Sequence, residues 1–115
     1  MDPVSTFIAA LQIGSGILKI GNTISGALKR EAPDVALKLG RSLGRLEISA
    51  VDARQLLRRV KSAGGTNPSM INEVERLLRR MLKELDVLVR IILQLFSKPT
   101  LLERILVRLR IKARE

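Results

Sequence analysis

The chain has 115 residues, 46% of them hydrophobic, and a formal charge of +10. That length sets one domain with enough residues to bury a core, and the apolar share excludes a disordered tail. There is no Cys, His, Tyr or Trp and there are only two Phe, so disulfides, thiol chemistry and histidine-based acid/base or metal chemistry are excluded. Leu, Ile and Val must build the core, which is the palette of helix bundles.

The first element is predicted at about residues 4–29. Gln12, Ser15, Lys19 and Asn22 follow one another at spacings of three and four. On a helix they form one narrow polar stripe. Phe7, Ile8, Leu11, Ile13, Ile17, Leu18, Ile20 and Ile24 spread over the remainder. This is an amphipathic helix with a broad apolar face. Pro3 suits its first turn, and Gly14, Gly16, Gly21 and Gly26 each weaken it by up to about 1 kcal/mol relative to Ala. Glycines also admit a close neighbour. A secretory leader fits poorly, because the start is acidic and the apolar run is interrupted. A permanent lone membrane span fits poorly too, since Lys19 near its middle costs about 2.5–3.5 kcal/mol on insertion.

Pro33 breaks the pattern. A second helix, about 34–62, has the seam Val35, Leu39, Leu43, Leu46, Ala50, Ala53, Leu57, Val60, at alternating spacings of three and four. Gly40 and Gly44 are expected to admit a close helix neighbour. Ser62 to Pro68 reads as a loop. A third helix, about 68–97, has the seam Met70, Val74, Leu77, Met81, Leu85, Leu88, Ile92, Leu95. Its second half, Val87 to Phe96, has only Arg90 and Gln94 as polar positions, and burial on most sides is expected. Within these seams Leu46, Leu57, Leu77, Leu85, Leu88 and Ile92 are the expected core. Lys98-Pro99 stops the helix. Thr100 and Glu103 suit a capping box for a fourth segment, about 100–113, whose alternation from Val107 to Ala113 also fits a strand; no partner strand is in sight, which favours helix. The expected fold is all-α: an antiparallel four-helix bundle of up-down topology. Residues 1–115 form one domain, read as the N-terminal domain of a longer protein.

No catalytic constellation emerges. Glu73 with Glu75, and Glu84 with Asp86, diverge at a spacing of two, and these carboxylates suit ion pairs with Arg on an exposed face. Gly64-Gly65 lacks the Lys and Ser/Thr of a phosphate-binding loop. The expectation is a protein that is not an enzyme, with no cofactor and no metal. Charge is uneven: residues 1–33, 34–63, 64–97 and 98–115 carry +1, +4, +1 and +4. Arg54, Arg58, Arg59 and Lys61 form one cationic group, and Arg76, Arg79, Arg80 and Lys83 another. Arg104, Arg108, Arg110, Lys112 and Arg114 form a third. Such fields favour anionic lipid or nucleic acid. The absence of Tyr and Trp stacking platforms argues against nucleic acid.

Met1-Asp2-Pro3-Val4-Ser5, followed directly by a Gly/Ala/Ile-rich amphipathic helix, resembles the start of fungal HeLo-like domains. These are N-terminal domains of fungal NLR-type (STAND) receptors and related cell-death executors. The resemblance covers about the first 30 residues and the helical layout. It implies a cytoplasmic bundle of the innate-immune, programmed-cell-death kind. On activation such a bundle oligomerises and permeabilises the plasma membrane as a pore-former. For this chain the implied inserting residues are the eight apolar ones of the first helix. The anionic-lipid contacts fall on Arg54, Arg58, Arg59, Lys61, Arg104, Arg108, Arg110 and Lys112. A homo-oligomerising adaptor without membrane activity and a basic nucleic-acid-binding bundle are the alternatives.

Overall fold

The computed structural model describes residues 2–64 and 67–114. They form four helices: α1 (Pro3–Glu31), α2 (Pro33–Ser62), α3 (Pro68–Phe96) and α4 (Pro99–Arg114). No strand occurs among the described residues, and the alternating stretch after Val107 lies within α4.

Each helix starts on a proline at its first position, where the missing N–H costs nothing. The Asp2 carboxylate caps α1, accepting from the amides of Val4 (2.7 Å) and Ser5 (3.1 Å) and from the Ser5 hydroxyl (2.7 Å). The Asn67 side chain caps α3 through the amide of Met70, at 2.9 Å. Between α1 and α2 only Ala32 leaves helical geometry, at φ −151° and ψ 78°. Its N–H still donates to the Leu28 carbonyl. The expected capping box of α4 is corrected by its start at Pro99: Thr100 lies inside the first turn, not ahead of it.

α1 meets α2 where Gly21 faces Leu43 and Gly14 faces Leu46. α2 meets α3 where Arg59 pairs with Glu73 and Ser49 donates to Glu84. The three long helices all touch one another. The shorter α4 packs on α1 and α3 and, among the described residues, makes no contact with α2. The body is elongated, 51 × 28 × 23 Å, consistent with a 30-residue helix of about 45 Å.

The core draws Phe7, Leu11, Leu18 and Leu28 from α1, and Leu39, Leu43, Leu46, Ala50, Ala53, Leu56 and Val60 from α2. From α3 and α4 it draws Val74, Leu77, Met81, Leu85, Leu88, Ile91, Leu95 and Ile105. Both long seams are therefore on the inner faces. Three expectations are corrected. Leu57 and Ile92 are half-buried, their places deeper in the core being taken by Leu56 and Ile91 one position earlier. The second half of α3 is not buried on most sides, since Val87, Val89 and Leu93 are exposed; α2 and α4 leave its outer face uncovered. Gly40 and Gly44 have no close neighbour, and a Cβ at either would meet nothing within 4 Å.

Candidate membrane-interaction surface

α1 is the one helix among the described residues that is long and apolar enough to cross a membrane, over Val4–Glu31. A core helix or an N-terminal signal would pass the same test of length and composition. Yet only 28% of its most apolar 18-residue stretch is buried within the structure. The eight expected inserting residues divide three ways. Phe7, Leu11 and Leu18 are buried, Ile17 and Ile24 lie half-buried against the core, and Ile8, Ile13 and Ile20 are exposed. Ile13 and Ile20 are 58% and 61% exposed. They sit seven residues apart, on nearly the same line of the helix surface. Ala9 and Gly16 lie on that line and are exposed as well. An apolar strip thus faces outward beside the polar stripe of Gln12, Lys19 and Asn22, all exposed. Ser15, the fourth member of the stripe, is half-buried, and its hydroxyl donates to the Leu11 carbonyl at 2.9 Å.

The glycines of α1 serve two purposes. A Cβ on Gly21 would lie 2.5 Å from Leu43 Cδ2, so Gly21 is what lets α2 approach. Gly16 and Gly26 face open space; there glycine only makes the helix easier to undo.

Cations flank this helix. Arg54 reaches toward Ser15, with Nη2 3.5 Å from Oγ. Arg58 and Lys61, close to Arg54 in the helical repeat of α2, are exposed and have no ion-pair partner among the described residues. Arg59 is engaged by Glu73 at 2.9 Å and Arg104 by Glu31 at 3.3 Å. Arg110 is exposed. Arg108 and Lys112 lie outside the residues whose side chains are described. The lipid-facing set of the sequence reading is thus partly free and partly paired.

A polar cluster between α2 and α3 went unforeseen. Ser49 is fully buried. Its Oγ lies 2.9 and 2.7 Å from the two carboxylate oxygens of Glu84, to which it donates, and it accepts from Arg80 Nε at 2.9 Å. Arg80 Nη2 donates in turn to Asp52 at 2.8 Å. Glu84, expected on an exposed face, has a side chain only 16% exposed. The signal available was Ser49 falling next to Ala50 and between Leu46 and Ala53 on the inner face of α2, where a hydroxyl needs a partner. Every member has one, so the cluster is a clamp between two helices. No family profile, no characterised protein and no solved structure matches this chain.

Proposed function

We propose that this is a membrane-permeabilising effector domain that is not an enzyme. In this reading it rests as an up-down four-helix bundle in the cytoplasm, self-associates on activation, and releases α1 into an anionic plasma membrane. One observation carries the reading. The one helix among the described residues able to span a bilayer by length and composition has only 28% of its most apolar stretch buried. Where it meets α2, Gly21 packs on Leu43 and Arg54 Nη2 lies 3.5 Å from Ser15 Oγ. The resemblance of the first residues to HeLo-like domains supports the cell-death setting.

The energetic case is a balance. Leaving the bundle exposes Phe7, Leu11, Leu18 and Leu28, each worth about 1.5–3 kcal/mol of burial. A bilayer returns that burial and adds Ile8, Ile13 and Ile20, which the bundle leaves wet. Lys19 opposes entry, so an oligomer in which Gln12, Lys19 and Asn22 face water or one another fits better than a lone span. The exposed Arg54, Arg58 and Lys61 of α2 would hold the domain on the surface, at about 1 kcal/mol per cation.

Dye release tests this, using vesicles of phosphatidylcholine with and without phosphatidylglycerol. Release is expected only from the anionic vesicles. Exchange of Arg54, Arg58 and Lys61 to Glu should lower vesicle binding at low salt. An adaptor would self-associate and release nothing, which would refute the reading. So would a steeply salt-dependent affinity for nucleic acid that is indifferent to changes at Ile13 and Ile20.

A further inference from the structure

Where the end of α1 meets the start of α2, the surface opens into a groove of about 520 Å³, within the about 300–1,000 Å³ range of small-molecule sites. Its floor is apolar: Pro33, Ala36, Leu37 and Gly40. Leu37 is 57% exposed, although it is a large apolar side chain. The rim is of another kind. Lys29 and Arg41 stand at the groove, both exposed and neither in an ion pair among the described residues. Ser25 also lines it. The Ser15 and Thr23 hydroxyls donate back to carbonyls of their own helix. That of half-buried Ser25 has no partner among the described residues.

An apolar floor under two free cations and a free hydroxyl is complementary to one ligand chemistry: a hydrocarbon chain ending in an anionic head. We propose that this groove binds a single anionic phospholipid, with an acyl chain along Leu37 and Gly40 and the phosphate between Lys29 and Arg41. The proposal rests on the membrane reading above and gives it a defined lipid site, separate from the cations around Arg58. Charge decides against a second copy of the chain as the occupant. Apposition of two such grooves would bring Lys29 and Arg41 against their own counterparts in the partner. A second cleft, lined by Ser42, Arg45, Arg80, Lys83, Glu84 and Val87, is smaller, and Arg80 and Glu84 there already satisfy one another through Ser49.

Gly40 makes the proposal testable without disturbing the fold. A Cβ there would meet nothing within 4 Å, so Gly40→Leu starts without a backbone clash, extends into the groove and improves helix propensity at the same time. The probe is dihexanoylphosphatidylglycerol, kept monomeric below its micellar concentration and followed by amide chemical shifts of the full chain. Saturable shifts are expected at Ser25, Lys29, Leu37, Gly40 and Arg41. The phosphatidylcholine of equal chain length should bind at least tenfold more weakly. Glycerol phosphate, which has the head without the chain, should not saturate. Gly40→Leu and the pair Lys29→Glu/Arg41→Glu should each weaken binding at least tenfold, with helical circular dichroism retained. Wild-type affinity in Gly40→Leu overturns the site. So do shifts spread evenly over Arg58, Lys61 and Arg110, or equal binding of the zwitterionic lipid. A lipid-free dimer that Gly40→Leu abolishes, seen by sedimentation, overturns it in favour of a second copy. Monomer binding without dye release would refute the permeabilising function and leave the site standing. Dye release with no monomer binding would do the reverse.

Discussion

Along the face of α2 that meets α1, Leu43 fills the space left by Gly21 and Leu46 lies beside Gly14, with Arg54 reaching Ser15 at the limit of hydrogen bonding. Along the face that meets α3, Ser49, Glu84, Arg80 and Asp52 form a closed polar network, and Arg59 holds Glu73 farther along. Apolar packing is non-directional, and a bilayer can replace it. A partly buried polar network has no substitute in a hydrocarbon environment, where each unpaired group costs several kcal/mol. The contrast fits a molecule in which α2 and α3 stay together while α1 is exchangeable.

The comparison breaks most completely if α1 never has to leave. Gly21→Cys with Leu43→Cys tests this in a chain that has no native cysteine. An ideal Cβ at Gly21 lies 3.3 Å from Leu43 Cγ, close to where the partner sulfur of a disulfide would sit, and the bond wants its two Cβ atoms about 3.8 Å apart. The sulfur added at Gly21 partly refills the volume lost from Leu43. The oxidised variant should bind anionic vesicles and release no dye, with release restored by reductant. Full release while oxidised would show that α1 acts in place, and the exposed strip of Ala9, Ile13 and Ile20 would then become the active surface.

The polar side of the comparison is weighed by stability. Glu84→Ala leaves the buried Ser49 proton without its acceptor and should cost about 1–3 kcal/mol in urea denaturation. Arg54→Ala, on the α1 side, should stay within about 0.5 kcal/mol. A Ser49→Ala and Glu84→Ala cycle should show non-additivity, since the two groups share one bond. Equal costs on the two faces would remove the asymmetry.

The pattern of the chain announced much of this fold. Spacings of three and four placed Leu39, Leu43, Leu46, Val74, Leu77 and Leu88 inside, and Pro33 and Pro68 marked helix starts, because periodicity and backbone restriction are local. What stayed illegible was relational. A carboxylate such as Glu84 reads as surface until a buried Ser49 is known to face it. Eight apolar residues in α1 read as one face, because nothing in α1 says how wide a groove α2 and α3 offer; Ile13 and Ile20 fall outside it. The glycines are the sharpest case. Gly21, Gly16 and Gly40 are identical letters, and only the neighbour across the helix pair separates a close approach from an open surface.

That separation gives a smaller, signed effect. Gly16→Ala and Gly26→Ala meet nothing and should each stabilise the protein by up to about 1 kcal/mol. Gly21→Ala gains the same propensity but drives a methyl into buried Leu43, an overpacking that costs about 1–3 kcal/mol. Thermal melts should therefore rise for the first two and stay level or fall for the third. Dye release should need less protein for Gly21→Ala, because its strain falls on the α1–α2 contact alone. A rise in stability for all three would mean that Leu43 yields freely and the contact is loose.

The smallest effect sits at the first turn of α1. The Ser5 hydroxyl, followed by the amides of Ser5 and Val4, donates to Asp2 and holds its carboxyl below the ordinary aspartate value, which is about 3.9. A carboxyl depressed in the folded state stabilises it fully above the unfolded value, and the contribution is lost as pH falls through the lower folded value. The window is therefore below about pH 4. As acid is added, the protection of the Val4 and Ser5 amides relative to their intrinsic exchange rates should fall before that of the α2–α3 amides around Ser49. Asp2→Asn keeps a capping oxygen and should abolish the pH dependence of that first turn while leaving its protection at neutral pH nearly intact. The cap is internal to α1 and owes nothing to α2, so it should persist in protein bound to anionic vesicles. Loss of Val4 and Ser5 protection on vesicle binding at neutral pH would mean that α1 unwinds from its start rather than moving as a helix.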